Sequence, residues 1–376
     1  MIITNARIVT PDAVVHGTVS VEGGMIHAVE EGPSGRPGAF DLEGDFLLPG
    51  LIEMHTDNME KHLQPRPGVH WPSATAAMVA HDTQVAGAGI TTVLDAISVG
   101  DYRTGGSRRA YKAKTIDALR FGRAESLFKA DHHLHLRCEL CDDAVVEMFA
   151  PHADVPMLKL VSVMDHTPGQ RQWRDMDKLY QFHSGRGMSD ADFEVFVQES
   201  VARQGKNVDA NRRTILDQCR ARGLRLASHD DTTEDHVDEA VDDGISISEF
   251  PTTVEAARRA RDRGLKIVMG SPNVVRGGSH SGNVAAIDLA REALVDGLSS
   301  DYVPISLLHA AFMLHDELDM GLADAVATVS LNVAEMLDFN DRGAIVPDRR
   351  ADLVRVRRID GAPLVRTVWR QGRQII

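Results

Sequence analysis

The sequence predicts an α/β fold in which a (β/α)8 TIM-type barrel carries a small β-sandwich domain. The central part of the chain alternates short apolar runs with longer helical segments, a pattern typical of a buried parallel sheet. Eight such runs can be counted, which is the number of strands that closes a TIM-type barrel. Both ends of the chain instead contain short alternating strands between turns, and two such half-sheets can complete one small domain beside the barrel.

The small β domain is predicted from residues 1–48 together with residues 342–376. Glycines and a turn-rich stretch at 32–38 interrupt the first segment, and a polar turn interrupts the second. Because both segments read as half-sheets, we expect the two ends of the chain to lie together in one sheet. The expected strands are 2–9, 18–21, 25–29, 352–356 and 365–369.

The barrel domain is predicted over residues 49–341. Its eight strand candidates are 47–54, 91–96, 133–138, 157–164, 224–228, 245–250, 266–269 and 297–300. Roughly 50 residues separate His166 from the fifth strand, far more than an ordinary loop. Residues 189–222 in this connection read as a helix with Ser189 as its N-cap. An insertion over 168–222 follows the carboxyl end of a strand, so we expect a helical lid over the active site.

Composition limits the classes of partner. The 41 Lys and Arg residues against 55 Asp and Glu give a formal charge of −14, which argues against binding to nucleic acid or to an anionic membrane surface. No basic leader and no long apolar run are present, and the three cysteines are too few for a disulfide framework. These features predict a soluble cytoplasmic protein, and they leave both a monomer and a homo-oligomer open.

Histidine and aspartate stand at the ends of several predicted strands. The carboxyl ends of barrel strands meet at one mouth, where each strand can contribute one catalytic group. A lone histidine at a strand end is more often structural than a ligand, but four strand ends that each carry such a residue favour a metal site. The candidates are His55 and Asp57 on the first strand, His166 after the fourth, His229 after the fifth and Asp301 after the eighth.

The chemistry of these side chains suits one or two divalent ions. Neutral imidazoles and carboxylates are the ligands that Zn, Mn, Fe and Ni take in proteins, and an open coordination position can activate water. On the third strand, His135, Arg137 and Glu139 share one face because their spacing is two residues. Glu139 is therefore a candidate to bridge two ions.

A glycine-rich loop after the seventh strand is a candidate phosphate site. Glycines let the backbone approach an anion, Arg276 offers a planar fork for phosphate oxygens, and an Ala-rich helix predicted over 284–294 would add its N-terminus. Each cation here could equally be a surface or ion-pair residue, but barrels often seat a phosphate in this loop. The candidate substrate-binding residues are Arg276, Ser279, His280, Asn283, Lys61 and Arg171.

These motifs resemble the amidohydrolase superfamily, with residues 48–57 as the first-strand motif and His55-Thr56-Asp57 in place of the usual His-x-His. More closely, the chain resembles the phosphonate-pathway diphosphatases of the PhnM family over nearly its whole length. The segments that carry this resemblance are 55–58, 65–67, 89–96, 98–101, 135–140, 164–172, 227–231, 249–253, 273–283 and 298–302.

The resemblance implies a metal-assisted attack of water on phosphorus. It implies metal ligands at His55, Asp57, His166 and His229, and it implies that Asp301 is a ligand or the general base. The substrate would be α-D-ribose 1-methylphosphonate 5-triphosphate, which is cleaved between its α and β phosphates to the 5-phosphate and diphosphate. Superfamily members often bridge their metals with a carboxylated lysine on the fourth strand. Lys159, the lysine there, lies too deep, so the bridge is assigned to Glu139.

Two alternative functions remain open at this point. One is hydrolysis of a cyclic amide or deamination of a nucleobase on the same metals, and Arg276 in its loop favours a phosphate substrate instead. The other is a catalytically silent barrel that serves as a scaffold subunit of a phosphonate-degrading assembly. An intact ligand set argues against the scaffold, because a buried cluster of carboxylates and imidazoles is costly without a metal.

Overall fold

The structure, a computed structural model, describes residues 1–101, 108–185, 187–279 and 281–376, without the side chains of residues 108–112. The strands in these ranges are β1 (Ile2–Val9), β2 (Val14–Glu22), β3 (Met25–Glu31), β4 (Phe40–Asp41), β5 (Phe46–Pro49), β6 (Leu51–Thr56), β7 (Ile90–Val99), β8 (Asp131–Glu139), β9 (Leu158–Met164), β10 (Arg225–His229), β11 (Ile247–Glu249), β12 (Lys266–Gly270), β13 (Gly297–Ser299), β14 (Leu353–Ile359), β15 (Ala362–Arg370) and β16 (Arg373–Gln374).

Helices cover most of the chain between the central strands. They are α1 (Met59–Leu63), α2 (Ala74–Gly87), α3 (Arg108–Ala124), α4 (Val145–Phe149), α5 (Met176–Ser184), α6 (Asp190–Arg220), α7 (Glu234–Asp242), α8 (Val254–Asp262), α9 (Ser271–Arg276), α10 (Ala286–Arg291), α11 (Ser306–Leu318), α12 (Leu322–Ala327) and α13 (Leu331–Met336). Two short 3-10 helices lie at Ala150–His152 and Arg171–Trp173.

The two ends of the chain form one mixed sheet. Its strand order is β16-β15-β14-β5-β1-β2-β3, with β4 alongside β1. Strand β5 joins the halves, because it runs parallel to β1 and antiparallel to β14. Ile3, Ile8, Leu47, Leu353 and Trp369 are buried in its core. The prediction of a small β domain built from both termini is confirmed.

The central strands form a parallel barrel in chain order, from β6 to β13. Thr56 pairs with Asp301 in a parallel bridge, which brings the last strand back to the first. The buried Glu53 carboxylate strengthens this seam, since it accepts hydrogen bonds from the Ser300 backbone N–H at 2.6 Å and the Ser299 hydroxyl at 2.9 Å. All eight predicted barrel strands are present, and the (β/α)8 prediction is confirmed.

The first barrel strand differs from its prediction. Residues 47–54 were expected to form one strand, but β5 ends at Pro49 in the small sheet and β6 begins at Leu51 in the barrel. Gly50 lies between them, and a Cβ added there would stand 2.2 Å from the Thr91 hydroxyl oxygen. Glycine is therefore the residue that fits where the chain passes from one sheet to the other.

The long connection between β9 and β10 is helical, as predicted. It contains the second 3-10 helix, α5 and the 31-residue α6, whose predicted N-cap Ser189 accepts a hydrogen bond from the Asp192 N–H at 3.2 Å. The Asn211 side chain in α6 donates to the carbonyls of Leu140 and Asp142, both at 2.9 Å, and so fastens the insertion beside the end of β8. Within the described ranges, even this longest helix is not apolar enough to cross a membrane.

Candidate active site

A cavity of about 300 Å³ opens at the carboxyl ends of the barrel strands. Most of the residues singled out from the sequence reach its wall, namely His55, Asp57, His166, His229, Asp301, Arg276, Ser279 and Asn283. Three others are not among the described lining residues: Glu139, Lys61 and Arg171. His280 lies outside the described residues.

His55 and Asp57 reach the cavity because β6 ends between them. The His55 ring is buried, and its Nδ1 lies 3.0 Å from Oε1 of Glu249. Its Nε2 has no hydrogen-bond partner among the described residues. Asp57 follows the strand, and its N–H donates to the Asp301 carbonyl at 3.2 Å. The two side chains therefore present a free ring nitrogen and a carboxylate to the same cavity.

Glu249, at the end of β11, orients two imidazoles. Its Oε1 contacts Nδ1 of His55, and its Oε2 lies 3.4 Å from Nδ1 of His229. Burial alone would raise the pKa of this carboxyl, but the nearby His55 and His135 rings and the histidine hydrogen bonds hold it well below its usual range. An anionic Glu249 favours the tautomer with the proton on Nδ1, so that Nε2 of each ring stays available for a ligand bond.

Glu139 plays a similar part behind His166. Its Oε1 accepts a hydrogen bond from the His166 backbone N–H at 3.0 Å, and its Oε2 lies 2.5 Å from the His166 Nδ1. Both oxygens of Glu139 therefore contact His166, one at the backbone and one at the ring. Glu139 pairs with Met164 in the sheet, two residues before His166, and it is not among the described residues that line the cavity. Its contacts favour a role in orienting His166 over the bridging role expected from the sequence.

Asp230, like Glu249, is a site residue that the sequence did not single out. It follows His229 with a φ of 56° and is 5% exposed. Its Oδ2 lies 3.4 Å from Nε2 of His229 and 3.6 Å from Nε2 of His166. Strand alternation would point the residue after His229 away from the mouth, and the positive φ reverses that direction. Aspartate tolerates such a backbone better than most residues, which is the signal that could have identified it.

Asp301 follows β13 and faces Asp57 across the barrel seam. Burial and the neighbouring Asp57 raise the pKa of Asp301 to about 8, although Arg137 acts in the opposite direction. Nη1 of Arg137, from β8, lies 3.7 Å from Oδ2 of Asp57. One guanidinium thus faces several carboxylates, and the cavity favours added positive charge.

The residues present fit one or two divalent cations. Nε2 of His55 and Oδ2 of Asp230 are both buried without a hydrogen-bond partner among the described residues. A buried polar atom without a partner is costly, and bound cations would satisfy such atoms. Burial lowers the pKa of His166, but Glu139 and Asp230 raise it to about 9, which marks this end of the cavity as one that attracts positive charge.

The loop after β12 forms another wall. Arg276 is the exposed last residue of α9, it lines the cavity, and its guanidinium has no ion-pair partner within the part of the chain that the structure describes. Gly277 has a φ of 73°, which ends the helix and turns the chain toward Ser279. A cation free of other partners beside serine and asparagine groups is suited to an anionic substrate.

The helix after this loop is shorter than expected. Residues 284–294 were predicted to be helical, whereas α10 covers Ala286–Arg291. The Ala286 N–H donates to Oδ1 of Asn273 at 2.9 Å. The first amide of this helix is therefore used within the protein, and the expected contribution of the helix N-terminus to anion binding is not supported.

Two predicted phosphate-binding cations lie elsewhere. Lys61 is exposed and donates through Nζ to the carbonyl of Tyr302, a residue of the cavity wall. Arg171 is buried, and its Nη1 donates to Oδ1 of Asp231 at 2.6 Å and to the His229 carbonyl at 3.2 Å. Its Nη2 lies 3.6 Å from Glu239. Lys61 stands at the rim, and the charge of Arg171 is used within the protein.

The fold is shared with solved hydrolases at low sequence identity. The 5-methylcytosine deaminase from Klebsiella pneumoniae liganded with phosphonocytosine superposes with a TM-score of 0.66 at 14% identity, over 100% of this chain and 98% of that one. The N-acetylglucosamine-6-phosphate deacetylase from Pasteurella multocida superposes with a TM-score of 0.64 at 12% sequence identity, over 99% of this chain and 98% of that one. A solved amidohydrolase superposes with a TM-score of 0.61 at 15% sequence identity, over 100% of this chain and 98% of that one. These similarities show the amidohydrolase fold.

The sequence comparison is more specific. No family model matches the chain. The chain is 45% identical over 378 residues to the alpha-D-ribose 1-methylphosphonate 5-triphosphate diphosphatase of Escherichia coli (strain K12), and the alignment covers 100% of both chains. Identity at this level over both full lengths shows common family membership. The chain belongs to the alpha-D-ribose 1-methylphosphonate 5-triphosphate diphosphatase family.

Proposed function

We propose that the protein is a metal-dependent hydrolase that cleaves α-D-ribose 1-methylphosphonate 5-triphosphate between its α and β phosphates. The products are α-D-ribose 1-methylphosphonate 5-phosphate and diphosphate, in phosphonate catabolism. The observation that carries the proposal is that a cluster of imidazoles and carboxylates shares one cavity with Arg276 and the glycine-rich loop. A phosphoanhydride substrate needs both parts, since one activates water and the other balances phosphate charge.

We infer that the protein holds one or two divalent ions chosen from Zn, Mn, Fe and Ni. The ligands are His55, Asp57, His166, His229 and Asp301, all of which line the cavity. When bound, such an ion supplies Lewis acidity at a phosphoryl oxygen and makes water a better nucleophile near neutral pH. Glu139 is assigned to orienting His166, because both of its oxygens contact that residue.

Asp301 is the proposed general base. The proton of the attacking water passes to its carboxylate while the water oxygen bonds to the α phosphorus and the bond to the β-phosphate oxygen breaks. Asp301 must be ionised to accept that proton, and positive charge beside it lowers its pKa from about 8. Arg276 holds the diphosphate, whose negative charge grows as it leaves, with Ser279, Asn283 and Lys61 as further donors around the cavity and its rim.

The helical insertion over residues 168–222 is proposed to be a lid. Gln172, Trp173 and Phe182 belong to it and line the cavity. A cover of this kind excludes bulk water and strengthens the electrostatic contacts below it. We also propose residues 49–341 as the catalytic domain and residues 1–48 with 342–376 as the small domain.

We place the protein in the cytoplasm. All three cysteines, Cys138, Cys141 and Cys219, are free thiols. Free thiols are typical of a reducing compartment. The proposed small-molecule substrate requires no nucleic-acid or membrane partner, and a homo-oligomer and a monomer are equally compatible with the proposal.

A substrate comparison tests this proposal against the amide chemistry that the shared fold also supports. The purified protein, loaded with Zn²⁺ or Mn²⁺, is assayed on a ribosyl 5-triphosphate, on a hydantoin or dihydropyrimidine, and on cytosine. We expect rapid turnover of the triphosphate alone. Turnover of a cyclic amide or base with no triphosphate hydrolysis would contradict the proposal, and so would a folded protein that binds no metal and turns over none of them, as a scaffold would.

A further inference from the structure

We propose that Asp230 is a metal ligand, which completes a cation position with His166 and His229. The inference rests on the proposed metal-dependent function and deepens it, since it names the carboxylate at this position. The remaining donors are His55, at the end of the first barrel strand, and Asp57 and Asp301, which follow the first and eighth strands.

The three side chains already converge on one point. One ligand atom from each of His166, His229 and Asp230 lies within 4.8 Å of the other two. Oδ2 of Asp230 faces Nε2 of both rings, at 3.6 Å from His166 and 3.4 Å from His229. These separations suit three atoms around a metal ion at bonds of about 2.0–2.2 Å, as in zinc sites with histidine and carboxylate ligands. They are too long for good hydrogen bonds between the groups themselves.

Each histidine is held at its Nδ1 by a carboxylate, so that its Nε2 faces Asp230. Glu139 contacts Nδ1 of His166, and Glu249 contacts Nδ1 of His229. Carboxylates in this position fix the ring orientation and the tautomer of a metal-binding histidine. Asp230 differs from both glutamates, because its Oδ2 has no hydrogen-bond partner among the described residues. Oδ2 of Asp230 therefore faces the ring nitrogens and is available as a metal ligand.

The backbone holds Asp230 in this orientation. Its N–H donates to the Glu249 carbonyl at 2.9 Å, and its φ of 56° turns the side chain into the cavity. The next residue, Asp231, is fixed by Arg171 at 2.6 Å and by the Ser248 hydroxyl at 3.0 Å. A left-handed backbone is strained for most residues, and such strain is typical of functional sites. These contacts hold the backbone on both sides of the Asp230 side chain.

Metal binding to Asp230→Asn is the test. Asparagine tolerates a positive φ and keeps the shape, but it replaces the anionic oxygen. Wild type and variant are stripped with chelator and titrated with Zn²⁺ and, separately, with Mn²⁺, with free metal measured directly. We expect one equivalent of metal to bind at least tenfold more weakly to the variant than to wild type. Any further equivalent of metal should bind with the wild-type affinity. Asp230→Gly, which also suits this backbone, must show the same loss.

Asp165→Asn is the matched control. Asp165 precedes His166, but its oxygens accept hydrogen bonds from the Thr167 N–H and the Gln204 amide, and it is not among the described residues that line the cavity. Asp165→Asn should bind metal like wild type. The metal-free form of Asp230→Asn should unfold at the same midpoint temperature as metal-free wild type. Unaltered binding in Asp230→Asn, or equal weakening in Asp165→Asn, would overturn the assignment while the metal-dependent function stands. A wild-type protein that binds neither ion would overturn both.

Discussion

Arg171 and Asp231 form a buried ion pair, 2.6 Å between Nη1 and Oδ1, that ties the helical insertion to the turn after β10. The same nitrogen donates to the His229 carbonyl, so the pair also supports a proposed metal ligand. The neighbours of Arg171, Gln172 and Trp173, line the cavity. The position of the helical insertion and the geometry of the site are thus linked through one guanidinium.

Arg171→Met should therefore lower both stability and turnover. Removing one partner of a buried pair leaves a charge uncompensated, which costs about 3 kcal/mol of unfolding free energy. Urea unfolding and steady-state kinetics check this, with kcat reduced and Arg171→Lys intermediate. Arg174→Met, an exposed neighbour in the same segment, is the control. Wild-type stability and kcat in Arg171→Met would show that the pair has no such role.

His229→Ala should lose most activity and part of its bound metal while it remains folded. The imidazole is a proposed ligand held by Glu249, and its loss leaves the metal underfilled. Metal content after dialysis, circular dichroism and turnover are measured together. His27→Ala, at an exposed position in the small sheet, should match wild type in all three. Full metal content with normal turnover in His229→Ala would remove this residue from the site.

Asp301→Asn should reduce kcat with little change in KM. The substitution preserves shape and removes the proton acceptor, so a loss of about 10² to 10⁴ is expected for a general base. A further check is the pH dependence of kcat, whose acidic limb should disappear in the variant. A change confined to KM would assign Asp301 to substrate binding instead.

Arg276→Ala should lower kcat/KM at least tenfold, or roughly 1.4 kcal/mol, with a larger loss for triphosphate than for diphosphate substrates. Arg276→Lys should recover part of it, because an ammonium supplies charge without the bidentate fork. Metal content should not change. Arg291→Ala, an exposed arginine paired with Asp288 on the next helix, is the control. Unaltered triphosphate hydrolysis in Arg276→Ala would refute the phosphate role and leave the metal site untouched.

A second buried histidine network makes stability depend on pH. His132 contacts Asp95 at 2.7 Å and Asp82 at 3.2 Å. Burial lowers the pKa of His132, but Asp95 and Asp82 raise it to about 9. The folded state thus binds this proton more tightly than the unfolded state, with its ordinary pKa of about 6.5. The stabilisation is complete below about pH 6.5 and is lost as the pH rises through about 9.

Urea unfolding at several pH values tests whether the protein loses stability as the pH rises. The free energy of unfolding should fall on the order of 3 kcal/mol between about pH 6.5 and 9.5, since each pKa unit corresponds to about 1.4 kcal/mol. Asp95→Asn removes one carboxylate partner of His132, so this variant should be less stable than wild type at low pH. Its free energy of unfolding should also fall less than that of wild type as the pH rises. An equal fall in Asp95→Asn would assign the pH dependence to other groups.

Hydrophobic periodicity sufficed to predict the barrel, because most of its strands contain buried apolar runs and helices separate them. The same signal could not separate β5 from β6. Both are apolar, and the boundary depends on the contact of Gly50 with Thr91, residues that are distant in sequence. The predicted N-cap at Ser189 was recognisable because capping is a local interaction.

Strand ends likewise brought His55, Asp57, His166, His229 and Asp301 into one predicted cluster, and all five line the cavity. The roles of Glu139, Arg171 and Asp230 depend on partners and on a backbone angle that spacing does not encode. Spacing predicted that Glu139 shares a face of β8 with Arg137, but its contact with His166, which lies two residues beyond the end of β9, depends on tertiary structure.

The central claim is that this site releases diphosphate in a metal-dependent reaction, and ³¹P NMR of the products tests it most directly. Chelator-treated protein is incubated with α-D-ribose 1-methylphosphonate 5-triphosphate, without and with added Zn²⁺ or Mn²⁺, beside His229→Ala. The expected result is equal formation of diphosphate and the 5-phosphate, dependent on the added ion and nearly absent in the variant. Orthophosphate as the product, or undiminished diphosphate release without metal, would contradict the account.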